Sequence, residues 1–433
     1  MMMMKGYLNL ILTMGRAPVY NQRSLVFGII LASVFWVAVV VVGPWLKGWE
    51  VTPWPAASSL CKTSSQAARR ATSSRTTEVV AANTEQRATE QVRVLLLAVQ
   101  GRTGSSFVGE LLGTNEDVFY LFEPGLSLQA GFQDNHTPGG FEVLINIYAS
   151  FLNDLFRCDF STLDMYLRYL SKQDAQGLSH KAPRLSAECD RRYASGRCNV
   201  TQDLAEEICR ASKYIVVKSV RMPDINLLLP MVEDSRIKLK VIHLVRDPRP
   251  MVASNVYAFG LWFNESYART HRSRNDTLLS GATLGMLGIY CRYNVYNFEL
   301  GMRKPSLRDR YAFLRYEDAA RNPSWAAGRL HSFLGADLVP ESVSKWVVAN
   351  TKSRQSGIYS TARRSNEEYR AWRQTIPYED AKAIAELGKC TQMMTLMGYR
   401  LLEDEGHLRN MSRSLLADIP AAATQHDWPQ WSE

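Results

Sequence analysis

The chain is poor in the residues that mark several whole classes of protein. Its 433 residues hold 7 cysteines, no two of them in a C-x-x-C pair, which argues against a zinc ribbon or a thioredoxin-like site. With Gly 26 and Pro 17 it has neither collagen's periodic glycine nor a low-complexity excess of both. No two aspartates are spaced Asp-x-Asp, the pattern with which metal-dependent glycosyltransferases bind sugar nucleotides. At 46% hydrophobic and 21% charged, the composition is that of an ordinary globular protein. The 51 Lys+Arg against 42 Asp+Glu leave a formal charge of +9, an excess that invites a nucleic-acid reading until the cations are located.

One stretch lacks charge altogether. Residues 25–42, LVFGIILASVFWVAVVVV, span about 27 Å as a helix, close to the hydrocarbon thickness of a thin bilayer. Lys5, Arg16 and Arg23 precede the run with no acid among them, which puts the N-terminus on the cytoplasmic side. Gly43-Pro44-Trp45 is not a small-x-small cleavage site, so a single-pass signal anchor is expected rather than a removed signal peptide. Residues 51–90 are rich in Ser and Thr and almost without large aliphatics, so they cannot bury enough apolar surface to offset their ordering entropy. The expected organisation is a cytoplasmic tail (1–24), a transmembrane signal anchor (25–42), a stem (43–91), a lumenal α/β domain (92–402) and a loose polar tail (403–433).

All seven cysteines lie beyond the apolar run. In an oxidising lumen Cys189, Cys198 and Cys209 sit in a polar insertion that a disulfide would staple. The odd count leaves at least one thiol unpaired within the chain. Cys61, in the stem, is the candidate for a bridge between two copies, a homodimer. Sequons at Asn135, Asn199, Asn264, Asn275 and Asn410 fit a lumenal face, while Pro323 disqualifies Asn322.

Two segments carry anion-binding chemistry. The apolar run at 92–99 reads as a strand, GRTGSS (101–106) as a turn, and FVGELL (107–112) as the start of a helix. Strand, Gly-rich turn and helix bring backbone N–H groups and a helix N-terminus onto one anion. Arg102 adds charge, and Ser105 and Ser106 add hydroxyls. A turn with Ser as a plain N-cap would look similar. The loop has no Lys after Gly104, and Gly101 and Gly104 stand too close for G-x-x-x-x-G-K-[ST], so the γ-phosphate machinery of a nucleoside triphosphatase is missing. The second segment is a strand at 241–245 ending in Arg246-Asp247-Pro248-Arg249, with Pro250 suited to a helix N1 position and Ser254 on that helix. In a parallel sheet both strand ends face one crevice. An Arg with a nearby Ser makes a fork for a second phosphate, so the pair implies a nucleotide with separated phosphates.

These residues resemble a known family. RTGSSFVGELL, VFYLFEP, KSVRMPDINLLLP, LKVIHLVRDPR, LRYEDAARNP (314–323) and the segment 390–399 are similar to the Golgi carbohydrate 6-O-sulfotransferases, which act on galactose, N-acetylglucosamine or N-acetylgalactosamine. The resemblance implies a P-loop-like sulfotransferase fold with a central parallel sheet and the donor 3′-phosphoadenosine 5′-phosphosulfate (PAPS). By position, Arg102, Thr103, Gly104, Ser105 and Ser106 would hold the 5′-phosphosulfate, and Arg246 and Ser254 the 3′-phosphate. Arg363, in Ser360-Thr361-Ala362-Arg363, matches a further donor element. The family usually has Arg directly after that Ser; this chain has Asn255, so one cationic contact is missing or replaced. Glu123, at the end of a strand over 118–122, is expected to be the catalytic base, its pKa raised by Phe122 and Pro124, with Arg102 stabilising the leaving oxygen.

No metal is called for by this constellation. His243, inside an apolar strand, is expected to be a satisfied core histidine, and Glu317 and Asp318 to pair with nearby Arg. Nucleic acid is not an expected partner: the +9 divides between the membrane flank, the stem and strand-end arginines aimed at a small nucleotide. A glycosyltransferase, a P-loop kinase and a glycan-binding scaffold without turnover are the competing readings. The acceptor glycan would meet the insertions at 125–212 and 256–282, where Phe132, Tyr257 and Trp262 are candidates for stacking on sugar rings.

Overall fold

Five mainly apolar runs form the centre of the molecule: β1 (Val92–Leu97), β2 (Val118–Phe122), β3 (Tyr214–Ser219), β4 (Leu239–Val245) and β5 (Tyr311–Arg315). In the computed structural model they pair in the order β2-β3-β1-β4-β5, every pair parallel. The near-continuous apolar runs follow from burial on both faces, as a parallel sheet covered by helices requires. The strand over 118–122 appears as expected, and β4 begins two residues before the expected 241. The structure describes residues 91–131, 140–193, 198–263, 279, 281–352 and 364–419. The anchor, the stem, Cys61, Arg363 and the side chains of Phe132 and Trp262 lie outside what is described.

The helices are α1 (Ser105–Gly113), α2 (Gly125–Gly131), α3 (Gly140–Phe156), α4 (Asp164–Ser171), α5 (Ala175–Lys181), α6 (Pro183–Arg192), α7 (Gln202–Ala211) and α8 (Leu229–Glu233). After β4 come α9 (Pro248–Phe263) and α10 (Gly281–Arg303). After β5 come α11 (Tyr316–Arg321), α12 (Pro323–Leu334), α13 (Glu341–Thr351), α14 (Ser365–Ala371), α15 (Tyr378–Glu386), α16 (Cys390–Leu396) and α17 (Glu405–Arg409). Helix α9 starts with Pro248 at its first position, so Pro250 stands in the first turn rather than at N1. That costs no hydrogen bond, because first-turn N–H groups have no partner inside a helix.

The side chains of β1 alternate between two cores. Val94 and Leu96 pack with Phe107, Val108, Leu111 and Leu112 of α1, while Leu95 and Leu97 share the other face with Met251 and Val252 of α9. Neighbouring strands β1 and β4 therefore send their following helices to opposite faces. This is the topological switch point where open α/β sheets form a ligand crevice beyond the strand ends.

Three disulfides staple the larger core: Cys158–Cys209, Cys189–Cys198 and Cys291–Cys390. The expected polar-insertion staple is present, and Cys209 pairs outside that cluster. The tail, expected to be loose from residue 403, is held as far as Ile419. Arg315 donates to the carbonyls of Met397, Gly398 and Ala417, and Arg373 to those of His407, Leu408, Asn410 and Arg413. Each guanidinium satisfies several carbonyls that would otherwise be buried unpaired. Among the described residues no helix is long and apolar enough to cross a membrane.

Candidate active site

The turn after β1 places two residues in left-handed backbone: Arg102 at φ 66° and Gly104 at φ 83°. Gly104 is the N-cap of α1, and no side chain caps the helix. The Ser N-cap alternative is thereby excluded, and the first N–H groups of a nine-residue helix are left for an anion. Only glycine fits at 104, because a Cβ there would lie 2.1 Å from Cδ2 of Tyr316. Ser105 is buried and Ser106 half-buried at the helix start. Thr103 is fully buried and its hydroxyl donates to the Gln100 carbonyl at 3.3 Å, so it braces the loop from within.

The two sequence-predicted segments meet. Arg102 Nε donates to Ser254 Oγ at 3.1 Å, and Arg246 Nη1 donates to the Arg102 carbonyl at 2.8 Å. Asn255, where the resemblance expects Arg, donates through Nδ2 to the Gly101 and Met251 carbonyls, each at 3.1 Å. It ties α9 to the loop, a brace in place of the missing cation. Tyr290 fixes the Arg246 backbone, accepting its N–H at 3.0 Å and donating to its carbonyl at 2.7 Å. The Arg246 guanidinium lies 4.7 Å from the Tyr316 ring centroid, within cation–π range. Its Nε is buried with no hydrogen-bond partner among the described residues. A buried, unsatisfied cationic donor beside an uncapped helix N-terminus fits a phosphate-bearing ligand.

Glu123 stands at the rim, after β2, with its backbone in left-handed geometry at φ 44°. Lys218, from the end of β3, donates to Oε1, and Arg221 donates to Oε2. Burial presses the Glu123 pKa upward, but these two cations outweigh it and the net shift is downward. The expectation of a raised pKa is overturned here: burial is the largest single influence, but Lys218 and Arg221 together exceed it. Burial in turn lowers the pKa of Lys218, whose Nζ sits 4.2 Å from the Phe122 ring centroid. Sequence reasoning did not assign a role to Lys218 or Arg221. The available signal was a lysine ending the otherwise apolar strand YIVVKS, a cation that burial forbids without a partner.

His243 is the core histidine expected. It is fully buried, bonded to Tyr311 Oη at 2.7 Å and Asn294 Oδ1 at 2.8 Å, and burial lowers its pKa to about 4. Asp318 pairs with Arg315 at 2.6 Å, also as expected. Among the described residues Glu317 pairs with no arginine. It accepts the Asp247 N–H at 3.0 Å and the Tyr399 hydroxyl at 2.9 Å, and burial beside Asp247 pushes its pKa up to about 7. Among the described residues, no group of three or more His, Cys, Asp or Glu is placed to hold a metal ion.

A sulfotransferase-domain family model matches residues 93–398, which takes in every strand but the first residue of β1 and both anion-binding segments. The chain belongs to the sulfotransferase family. Carbohydrate sulfotransferase 3 of Tetronarce californica is 32% identical over 346 residues, covering 74% of this chain and 76% of that protein. Its Homo sapiens counterpart is 33% identical, covering 75% and 71%. Carbohydrate sulfotransferase 1 of Mus musculus is 31% identical, covering 76% and 84%. The similarity covers the sheet, the crevice and most of the helices around them.

Proposed function

We propose that this protein transfers a sulfuryl group from PAPS to the 6-hydroxyl of galactose, N-acetylglucosamine or N-acetylgalactosamine in a glycan or glycosaminoglycan. The observation that carries the reading is the cross-braced cationic crevice, in which Arg102 reaches Ser254 and Arg246 reaches the Arg102 carbonyl with a buried guanidinium donor left over. The loop residues Arg102 to Ser106 would hold the phosphosulfate end, and Arg246 and Ser254 the 3′-phosphate. Arg363 is retained as a further donor contact. PAPS supplies the activated sulfuryl group when bound.

The chain's own part is then electrostatic and acid–base. Glu123, ionised at neutral pH, takes the proton of the attacking hydroxyl. Arg102 and the α1 amides neutralise charge gathering on the leaving oxygen, an effect of a few kcal/mol when the donors are held in place beforehand. The apolar run at 25–42, the paired cysteines and the exposed sequon residues Asn199 and Asn410 support a type II Golgi membrane protein with a lumenal catalytic domain.

The experiment has two stages. Thermal stabilisation by 3′-phosphoadenosine 5′-phosphate (PAP) that ADP does not reproduce would support the donor assignment. Equal stabilisation by both would remove it. Labelled sulfate from PAPS is then offered to desulfated chondroitin, desulfated keratan and N-acetylglucosamine-terminated oligosaccharides, with the product linkage mapped. Incorporation at any position other than a 6-hydroxyl would refute the regiochemistry.

A further inference from the structure

A general base with both oxygens held by cations is poorly prepared to accept a proton, and the two cations on Glu123 are not equivalent. The Lys218 side chain is 2% exposed, whereas that of Arg221 is 26% exposed. Arg221 reaches out of the crevice on its other side, where its Nε donates to Oε1 of the exposed Gln129 on α2 at 2.8 Å. Its backbone is fixed by a bond from its N–H to Ser219 Oγ at 3.1 Å. The anchored backbone and the solvent-facing guanidinium leave the head group able to swing while the residue stays in place.

The other titratable groups that feel the Glu123 charge are Tyr120 on β2, Tyr148 on α3 and His180 on α5. Burial raises both phenols, so they stay neutral, and burial lowers His180, so it too is uncharged at pH 7. Lys218 and Arg221 are thus the cations bonded to this carboxylate, and Arg221 is the one that solvent, or an acceptor, can reach.

We propose that Arg221 is a charge-exchange latch. It holds Glu123 Oε2 while the acceptor site is empty and transfers to an anionic group of the acceptor, a carboxylate or sulfate on a sugar beside the one modified. The exchange leaves Lys218 to orient the carboxylate and frees Oε2 for the acceptor hydroxyl. The proton passes from O6 to Oε2 as the O6–S bond forms, and the S–O bond to the 5′-phosphate breaks with its electron pair on the leaving phosphate. The latch rests on the reading of Glu123 as base, and it makes an anionic polysaccharide the favoured substrate class. It also explains why a base would be stored in so unreactive a state: the carboxylate gains basicity only when a correctly charged acceptor removes one of its cations.

The test uses the full chain as wild type, Arg221→Gln, Arg221→Lys and Glu123→Gln. The acceptors are unsulfated chondroitin, its carboxyl-reduced form, keratan sulfate and desulfated keratan. Wild type should turn over at least one anionic acceptor about tenfold faster than its neutral counterpart. Arg221→Gln should bring that ratio close to one, and Arg221→Lys should restore part of it. A preference within the chondroitin pair assigns the anion to a carboxylate; one within the keratan pair assigns it to a sulfate. In Arg221→Gln the acidic limb of kcat/KM against pH should move up, since one of the cations depressing Glu123 is gone. Calorimetric titration of the preferred anionic oligosaccharide without donor should show weaker binding to Arg221→Gln, with the neutral analogue unaffected. An unchanged acceptor ratio and pH profile in Arg221→Gln, with Glu123→Gln inactive, overturns the latch alone. Normal transfer by Glu123→Gln overturns the base assignment and the latch with it.

Discussion

Gly104→Ala is the sharpest probe of how the loop after β1 is built. Two separable costs follow from the structure. The residue sits at φ 83°, where a Cβ costs about 1–2 kcal/mol. The added methyl would also lie 2.1, 2.6 and 2.8 Å from Cδ2, Cε2 and Cγ of Tyr316, so the ring must move, at a further 1–3 kcal/mol or about that for overpacking. Gly335 supplies the control, since it has φ 85° and no heavy atom within 4 Å of a built Cβ. Gly335→Ala should therefore lose only the backbone share, roughly 1–2 kcal/mol, and Gly104→Ala roughly 2–5 kcal/mol. The displaced Tyr316 ring is the one against which Arg246 rests, so Gly104→Ala should also weaken PAP binding by about tenfold or more, equivalent to about 1.4 kcal/mol. Urea denaturation of both variants and calorimetric titration of PAP measure the two effects. If Gly104→Ala and Gly335→Ala lost the same stability, or if PAP affinity were unchanged, the coupling of loop, ring and arginine would be wrong.

Arg102→Ala should cut transfer by about 10²–10³-fold while its urea midpoint stays close to wild type, because its bond to Ser254 lies at the crevice and not in the core; wild-type activity would remove it from the site. Glu123→Gln should lower kcat by about 10²–10⁴-fold and leave the Kd for PAP unchanged, and a parallel loss of both would indicate a structural role instead. Glu317 has its folded pKa raised to about 7, so the stability it adds is full below its ordinary carboxylate range and lost as pH rises through 7. Wild type should accordingly lose on the order of 2–3 kcal/mol relative to Glu317→Gln between pH 4.5 and 8, measured by denaturant melts of both proteins across that range. The Cys291–Cys390 disulfide closes a separation of 99 residues, so Cys291→Ala with Cys390→Ala should cost about 4–5 kcal/mol, and a loss under about 1 kcal/mol would contradict the chain-entropy account.

What was legible in the sequence was local. Strand period, a Gly-rich turn and a helical spacing located β1, the loop and α1, and the RDPR segment located the end of β4 and the start of α9. Asn255 was visible only as a missing arginine, because its brace to Gly101 spans 154 residues. Glu123 was correctly placed at a strand end but given the wrong pKa direction for the same reason. Its neighbours in sequence are apolar, and its neighbours in space are Lys218 and Arg221, 95 and 98 residues away. Glu317 and Asp318 show how little separates the cases. Adjacent on α11, they point differently, and only the outer one meets Arg315 while the inner one is sealed against Asp247 and Tyr399. Pattern reports which side of an element faces the core, but long-range pairing decides what a buried charge finds there.

The same geometry explains why the loop after β1 and the segment after β4 stand together at one crevice. Strands β1 and β4 are hydrogen-bonded neighbours, so their C-terminal ends stand one strand spacing apart whatever the loops do. The helices that follow diverge to opposite faces, which opens the crevice, and the loops are then drawn back together by three bonds: Arg102 to Ser254, Arg246 to the Arg102 carbonyl, and Asn255 to the Gly101 carbonyl. Each bond uses part of a side chain whose remainder still faces the crevice or supports it. Arg246 commits Nη1 to the loop and has a buried Nε unbonded among the described residues, which in the proposed function is left for the ligand. A lysine there would offer a single ammonium for both tasks, which is why the planar, multi-donor guanidinium suits the position. Replacing the expected arginine by Asn255 then costs a charge but adds a tie, so the crevice exchanges electrostatic attraction for prior ordering of the loop after β1.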